Sequence, residues 1–204
     1  MAGLEKLTKT LPERVIVTDD PMRGRMLAAH HMECCSDEFS LGNVDVYSFT
    51  GSYMGVPVAV VSSESGRDEL LACISGLSRS GVSGVIYIST CISSTSRYDA
   101  RAVILAAGGS KKLLDMANAA AVRCDIITHS ETVLDPGDTQ PEEGCITDEF
   151  TGAFYKMAAE EKFDALSLLT VSENTRTGTK MEINEIRSRL YPASRLVFEI
   201  FKSC

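Results

Sequence analysis

The chain has 204 residues, 44% of them hydrophobic, and a formal net charge of −8. That is enough apolar material for one folded domain over 1–204. The acidic balance argues against a nucleic-acid partner, which needs Lys/Arg patches, and no apolar run approaches the roughly 18 residues of a membrane span.

The N-terminal stretch to Pro12 mixes Lys and Glu without an apolar core, so neither a signal peptide nor a membrane anchor is expected there. The seven cysteines are odd in number and irregularly spaced, with Cys34 and Cys35 adjacent. A reduced, cytoplasmic chain is the simplest expectation. Arg14 to Thr18 reads as a strand, and Asp19-Asp20-Pro21 as the turn and cap of a helix continuing to about Cys35. On such a helix His30 and Cys34, and His31 and Cys35, stand four residues apart. No second ligand pair accompanies them, so no metal site is expected.

Val44 to Thr50 and Pro57 to Ser62, joined through Tyr53-Met54-Gly55, read as a β-hairpin. From Asp68 to Ser80, Leu70, Leu71, Ile74 and Leu77 share one helical face. Val85 to Ile88 and Ala102 to Leu105 are apolar strands. Ser110 caps a helix to about Val122, and Ile126 to Thr128 is a further strand. Residues 135–144, rich in Pro, Gly, Asp and Glu, read as a flexible acidic loop. A helix (Glu149 to Glu161), a strand (Ala165 to Val171), a polar loop and a last helix (Met181 to Phe201) complete the chain, with Pro192 kinking or restarting that helix. Strands that alternate with helices and are apolar throughout predict an α/β fold, its sheet covered on both faces. Ligands in such sheets lie at the carboxyl ends of the strands.

Four separated segments resemble the nucleoside phosphorylase family. Val17-Thr18-Asp19-Asp20-Pro21-Met22-Arg23 is similar to its strand-then-G-D-P-x-R segment. Phe49-Thr50-Gly51-Ser52-Tyr53-Met54-Gly55 is similar to its F-T-G-x-Y-x-G hairpin. Gly84 to Ile92 stands where the family has I-R-x-G-[ST]-C-G. Ile146-Thr147-Asp148-Glu149, followed by Thr170-Val171-Ser172-Glu173, is similar to V-E-M-E and T-V-S-D. The resemblance implies a three-layer α/β/α fold with a mixed central sheet. It also implies a homo-oligomer, either a dimer or a trimer of dimers.

The family's reaction passes through an oxocarbenium-like transition state. It needs a cradle for phosphate, a carboxylate for the ribose hydroxyls and a donor at the base. By resemblance Glu149 holds the ribose, with Asp148 beside it in place of a methionine that packs on the sugar. Glu173 serves the base with Arg187 as helper, and Arg23 and Thr90 bind the anion. The implied ligand is a small-molecule nucleoside. No cofactor is expected, and inorganic phosphate is the candidate co-substrate.

The phosphate half departs from the pattern. Asp19 replaces a glycine whose backbone approaches the anion, Tyr87 replaces an arginine, and Ser89 and Ile92 replace two glycines. Glu64-Ser65-Gly66 stands at a glycine-rich turn, and Asn43 near an arginine commonly lent to a neighbouring subunit. The chain is also short around residues 106–109, where the family has a longer loop. Two readings stay open: cleavage of a nucleoside by phosphorolysis or hydrolysis, and an inactive relative that binds a nucleoside or partners an active subunit. Cys91 and His129 carry no local mark of a catalytic pair and read as packing residues.

Overall fold

The computed structural model describes residues 11–36, 46–63, 66–79, 81–136, 144–188, 190 and 192–202. Asn43, Glu64, Ser65 and most of the acidic loop (137–143) lie outside them, as do the side chains of Cys34 and Cys35.

In chain order the strands are β1 (Arg14–Thr18), β2 (Glu33–Ser36), β3 (Val46–Tyr53), β4 (Val56–Ser63), β5 (Gly84–Ser93), β6 (Val103–Ala106), β7 (Thr128–Glu131), β8 (Val133–Leu134), β9 (Ile146–Thr147) and β10 (Asp164–Asn174). The helices are α1 (Pro21–His31), α2 (Arg67–Arg79), α3 (Lys111–Cys124), α4 (Thr151–Glu161), α5 (Ile183–Ser188) and α6 (Ala193–Lys202). The strands form one mixed sheet in the order β2-β3-β4-β1-β5-β10-β6-β7, with β9 paired to the end of β5 and β8 to β9.

The middle of this sheet is parallel. β1 runs parallel to β4 and to β5, and β5 runs parallel to β10 over most of its length. Their carboxyl ends therefore open on one edge. The sequence explains why these strands occupy the centre. Along β1, Val15 and Val17 enter one apolar cluster and Ile16 the other; along β5, Val85 and Tyr87 enter the first, Ile86 and Ile88 the second. A strand buried on both faces belongs inside a sheet covered by helices. Leu70, Ile74 and Leu77 of α2 and Phe154 and Ala158 of α4 cover the first face. Leu27 and Ala28 of α1, Leu113, Ala117 and Ala120 of α3, and the apolar side of α6 cover the second. The fold is thus three-layer α/β/α with a mixed sheet.

Antiparallel neighbours finish the sheet. β3 and β4 form the expected hairpin, turning at Met54 (φ 50°) and Gly55 (φ 81°), the paired positive angles of a hairpin turn. The long helix expected after Pro21 instead ends at His31. Met32 is extended (φ −96°, ψ 143°), and the chain enters β2, which pairs antiparallel with β3. The four-residue helical spacing of His30 with Cys34 and His31 with Cys35 is therefore lost, because pairing at the sheet edge outweighs helix continuation. At the C-terminus the last helix restarts at Pro192 as expected: α5 ends at Ser188 and α6 begins at Ala193.

Helix α1 packs close to the sheet at Gly24. A Cβ built there meets Ser62 Oγ at 2.7 Å and Ser62 Cβ at 2.9 Å. The hydroxyl can rotate away, but the Cβ is fixed to β4. Gly24→Ala is therefore expected to destabilise the protein by about 1–3 kcal/mol through overpacking. Gly152→Ala, whose added methyl meets nothing within 4 Å, should be neutral or stabilising by up to about 1 kcal/mol. Urea unfolding midpoints of the two variants check the contrast.

Candidate functional site

The carboxyl end of β1 carries the first group of site residues. Asp20 caps α1, accepting from the backbone N–H groups of Met22 (2.8 Å) and Arg23 (3.1 Å), with Pro21 in the first turn. This fixes the start of the helix and turns Arg23 under the strand end, where it is only 5% exposed. Its Nη1 donates to Asp19 Oδ1 (2.6 Å), Thr18 Oγ1 (3.0 Å) and Ser89 Oγ (3.2 Å). Ser89 Oγ in turn donates to Asp19 Oδ1 at 2.7 Å. The Nε of Arg23 is buried with no hydrogen-bond partner among the described residues. Asp19 itself is half-exposed, at 49% of its side chain.

Two cavities meet at Asp19. One, of about 630 Å³, is lined by Asp19, Arg23, Arg25, Tyr47, Phe49 and Arg187 among others. The second, of about 530 Å³, is lined by Asp19, Arg67, Tyr87, Thr90, Asp148, Glu149 and Ser172, with neighbouring loop residues. It lies across the ends of β1, β5 and β10, where this sheet topology favours a ligand. Among the described residues three carboxylates line it against one arginine, and that arginine is already engaged: Arg67 Nη1 donates to Asp135 Oδ2 at 3.0 Å. The lining therefore favours positive charge and disfavours a bulky anion.

Asp148 and Glu149 are adjacent but differ in kind. Phe150, the residue before α4, makes no capping bond; Asp148 caps the helix instead. Its Oδ2 accepts from Thr151 N (2.7 Å), Thr151 Oγ1 (2.7 Å) and Phe150 N (3.2 Å). Burial raises the Asp148 carboxyl above the ordinary carboxylate range. The three hydrogen bonds oppose that rise, and the nearby Asp19 charge adds to it. Glu149, fixed by this turn, is exposed and lines the cavity. Tyr87 is buried against Phe150 at 4.4 Å between ring centroids. Burial above all holds its phenol well above the usual range. It lends the cavity an aromatic floor and no charge.

The structure thus brings Thr90, Asp148 and Glu149 together on one cavity and puts Arg23 and Arg187 on the other. Glu173 lines neither. The pairing of β10 with β5 shifts register between Val171 and Glu173. Ser172 faces the cavity and donates to Cys91 O (3.1 Å), while Glu173 accepts from Lys180 Nζ at 2.8 Å. Asn174, fully buried, then ties down the loop ahead of β6: its Nδ2 donates to Thr95 O (2.8 Å) and Tyr98 O (2.6 Å).

Motif reading misses one contributor and does not foresee the contacts of another. Arg67 follows Gly66 (φ 94°) in the turn after β4, and only its place at the same sheet edge marks it. Asp19 reads as an obstruction in sequence, but its four-residue spacing from Arg23 is a signal for the ion pair the structure contains. Cys91 is buried, and burial pushes its thiol up; His129 packs on Tyr98 at 4.4 Å between centroids.

No protein-family model matches the chain. It is 26% identical to the DeoD-type purine nucleoside phosphorylase of Alkaliphilus metalliredigens (strain QYMF), over 93% of this chain and 94% of that protein. Two solved structures share its fold. The purine nucleoside phosphorylase of Toxoplasma gondii, in complex with immucillin-H, superposes with a TM-score of 0.82 at 13% identity, covering 96% of this chain and 92% of the other. The P. knowlesi homolog of P. falciparum PNP gives 0.77 at 12% identity, covering 97% and 92%.

Asp148 offers a direct check on this geometry. Asp148→Ala removes the cap and is expected to cost about 1 kcal/mol, whereas Asp148→Asn keeps a capping oxygen and should cost less than half of that. A carboxyl raised on folding holds its proton to higher pH in the native state than in the unfolded chain. Its stabilising contribution is therefore present at low pH and is lost as pH rises from about 4 through the folded value. The Asn variant should lose that part of the pH dependence, read from urea unfolding between pH 4 and 8.

Proposed function

We propose that this chain, a divergent member of the nucleoside phosphorylase superfamily, cleaves the N-glycosidic bond of a nucleoside in the cavity between Asp19 and Glu149. The observation that carries the reading is Glu149. It is an exposed carboxylate with no ion pair among the described residues, held by a capped helix start on the same cavity as the Thr90 hydroxyl. A carboxylate so placed accepts hydrogen bonds from the 2′- and 3′-hydroxyls of a ribose. It also stabilises the positive charge that the sugar develops as the bond to the base breaks. Asp19 and Asp148 add to the same field.

Asp148 acts here as a positioning residue, through the turn that carries Glu149. Tyr87 and Phe150 supply an apolar wall for a planar ring. The base end of the cavity is assigned to Ser172 at the bulge, with Glu173 next to it but outside the lining. Glu173 reaches a base by exchanging its bond to Lys180 for one to the ring, a change open to a side chain that is 38% exposed. Arg187, on the neighbouring cavity, is assigned no step. The attacking oxygen comes from phosphate in phosphorolysis and from water in hydrolysis.

The purine nucleoside phosphorylases that share the fold support a purine nucleoside as the first substrate to test. A homo-oligomer belongs to the same reading and rests on the resemblance; a cytoplasmic setting rests on the odd number and irregular spacing of the cysteines. Among the described residues no helix is long and apolar enough to cross a membrane.

A panel of purine and pyrimidine nucleosides, each with and without phosphate, tests the proposal by base release. At least one nucleoside should be cleaved, and Glu149→Gln should lower kcat/KM by about a hundredfold or more with the fold intact. Absence of both cleavage and thermal stabilisation by every nucleoside would overturn it.

A further inference from the structure

The structure assigns Asp19 as a built-in anion. Its carboxylate occupies an oxyanion site formed by Arg23, Thr18 and Ser89, and so excludes inorganic phosphate from the place where it would attack.

The donor set is what identifies the site. Arg23 is a full positive charge at 5% exposure, and a charge this deep requires a counter-charge. Around it stand two hydroxyls, Thr18 on β1 and Ser89 on β5, both within 3.2 Å of Nη1. One guanidinium with two converging hydroxyls is a site for a small oxyanion. The oxyanion present is Asp19 Oδ1, which receives hydrogen bonds from Arg23 at 2.6 Å and Ser89 at 2.7 Å. The fit is incomplete. Among the described residues every side-chain hydrogen bond of Arg23 leaves from Nη1, while Nε is buried and has no partner. A carboxylate attached two bonds from its own backbone reaches one edge of the guanidinium. A free tetrahedral anion has oxygens to spare for Nε as well.

Position supplies the second argument. Asp19 is the residue that lines both cavities. An anion drawn to Arg23 Nη1 from either cavity would have to displace the Asp19 carboxylate already bonded to it. A phosphate dianion that came to rest beside the retained carboxylate, about 4 Å away, would meet strong repulsion at any effective dielectric suited to a protein surface. Asp19 therefore both fills the site and repels its competitor.

One consequence concerns the reaction, and rests on the cleavage reading above: the nucleophile is water. The water oxygen forms the bond to C1′, and the C1′–N bond breaks with its electron pair going to the base nitrogen. One water proton ends on the base, and the other remains on the new ribose hydroxyl. The products are free base and ribose.

Titration of inorganic phosphate into the wild type, Asp19→Asn and Asp19→Gly tests the assignment, by calorimetry and by thermal shift, with chloride matched for ionic strength. The wild type should give no saturable binding at millimolar phosphate. Asp19→Gly should bind it, on the order of a hundredfold tighter than the wild-type limit, and Asp19→Asn should fall between. A wild type that binds phosphate as tightly as Asp19→Gly would overturn the proposal, as would folded variants that bind none. If a variant folds only when phosphate is added, that supports it. Should neither fold at all, the wild-type titration decides alone: saturable binding overturns, and its absence supports. No nucleoside is present in these titrations, so failure of the cleavage reading leaves their result standing, and the reverse holds equally.

Discussion

A guanidinium held at 5% exposure beneath the end of β1 is the constraint around which this sheet edge is arranged. Buried charge is tolerated only when paired and hydrogen-bonded. Arg23 is paired by Asp19 and bonded by Thr18 and Ser89, and these four residues tie β1, β5 and α1 to one another. The capping of α1 by Asp20, with Pro21 behind it, sets where the arginine enters. The close approach at Gly24 sets how near the helix lies to β4. The electrostatics of the edge follow from the same pair: the local cation is spent internally, and the adjoining cavity is left with carboxylates in excess.

On the side proposed to take the sugar, the parallel course of β1, β5 and β10 delivers Asp19, Thr90 and Ser172 to one cavity, and a capped helix start adds Glu149. In the same cavity Tyr87 contributes a buried ring and no charge, and Arg67 is engaged by Asp135. A site that stabilises a developing positive sugar without recruiting a negative nucleophile is chemically coherent for attack by water.

Much of the fold was legible because local and long-range signals agreed. Asp20-Pro21 marked the start of α1, Met54-Gly55 the hairpin, the unbroken apolar run of β5 a buried strand, and Pro192 the restart of α6. Where the signals were weak or conflicting, the sequence was silent. The two-residue strands β8 and β9 exist only by pairing with each other and with Ile92 and Ser93. The end of α1 at His31 depends on an edge pairing that no helix-breaking residue announces. At the site, the carboxylate pair Asp148-Glu149 was visible but its division of labour was not. Both acids line the cavity, and which of them caps the helix and which stays exposed is decided by one residue of helix phase. The ion pair from Glu173 to Lys180 is likewise set by a register shift in β10 that composition does not encode.

The central claim is that this fold retains a sugar-binding cavity while its own carboxylate fills the anion site. Incubation of the wild type with a cleavable nucleoside in ¹⁸O-labelled water containing phosphate, followed by mass analysis of the sugar product, addresses it most directly. The account predicts free ribose carrying the label and no ribose 1-phosphate. Ribose 1-phosphate as the product would contradict it.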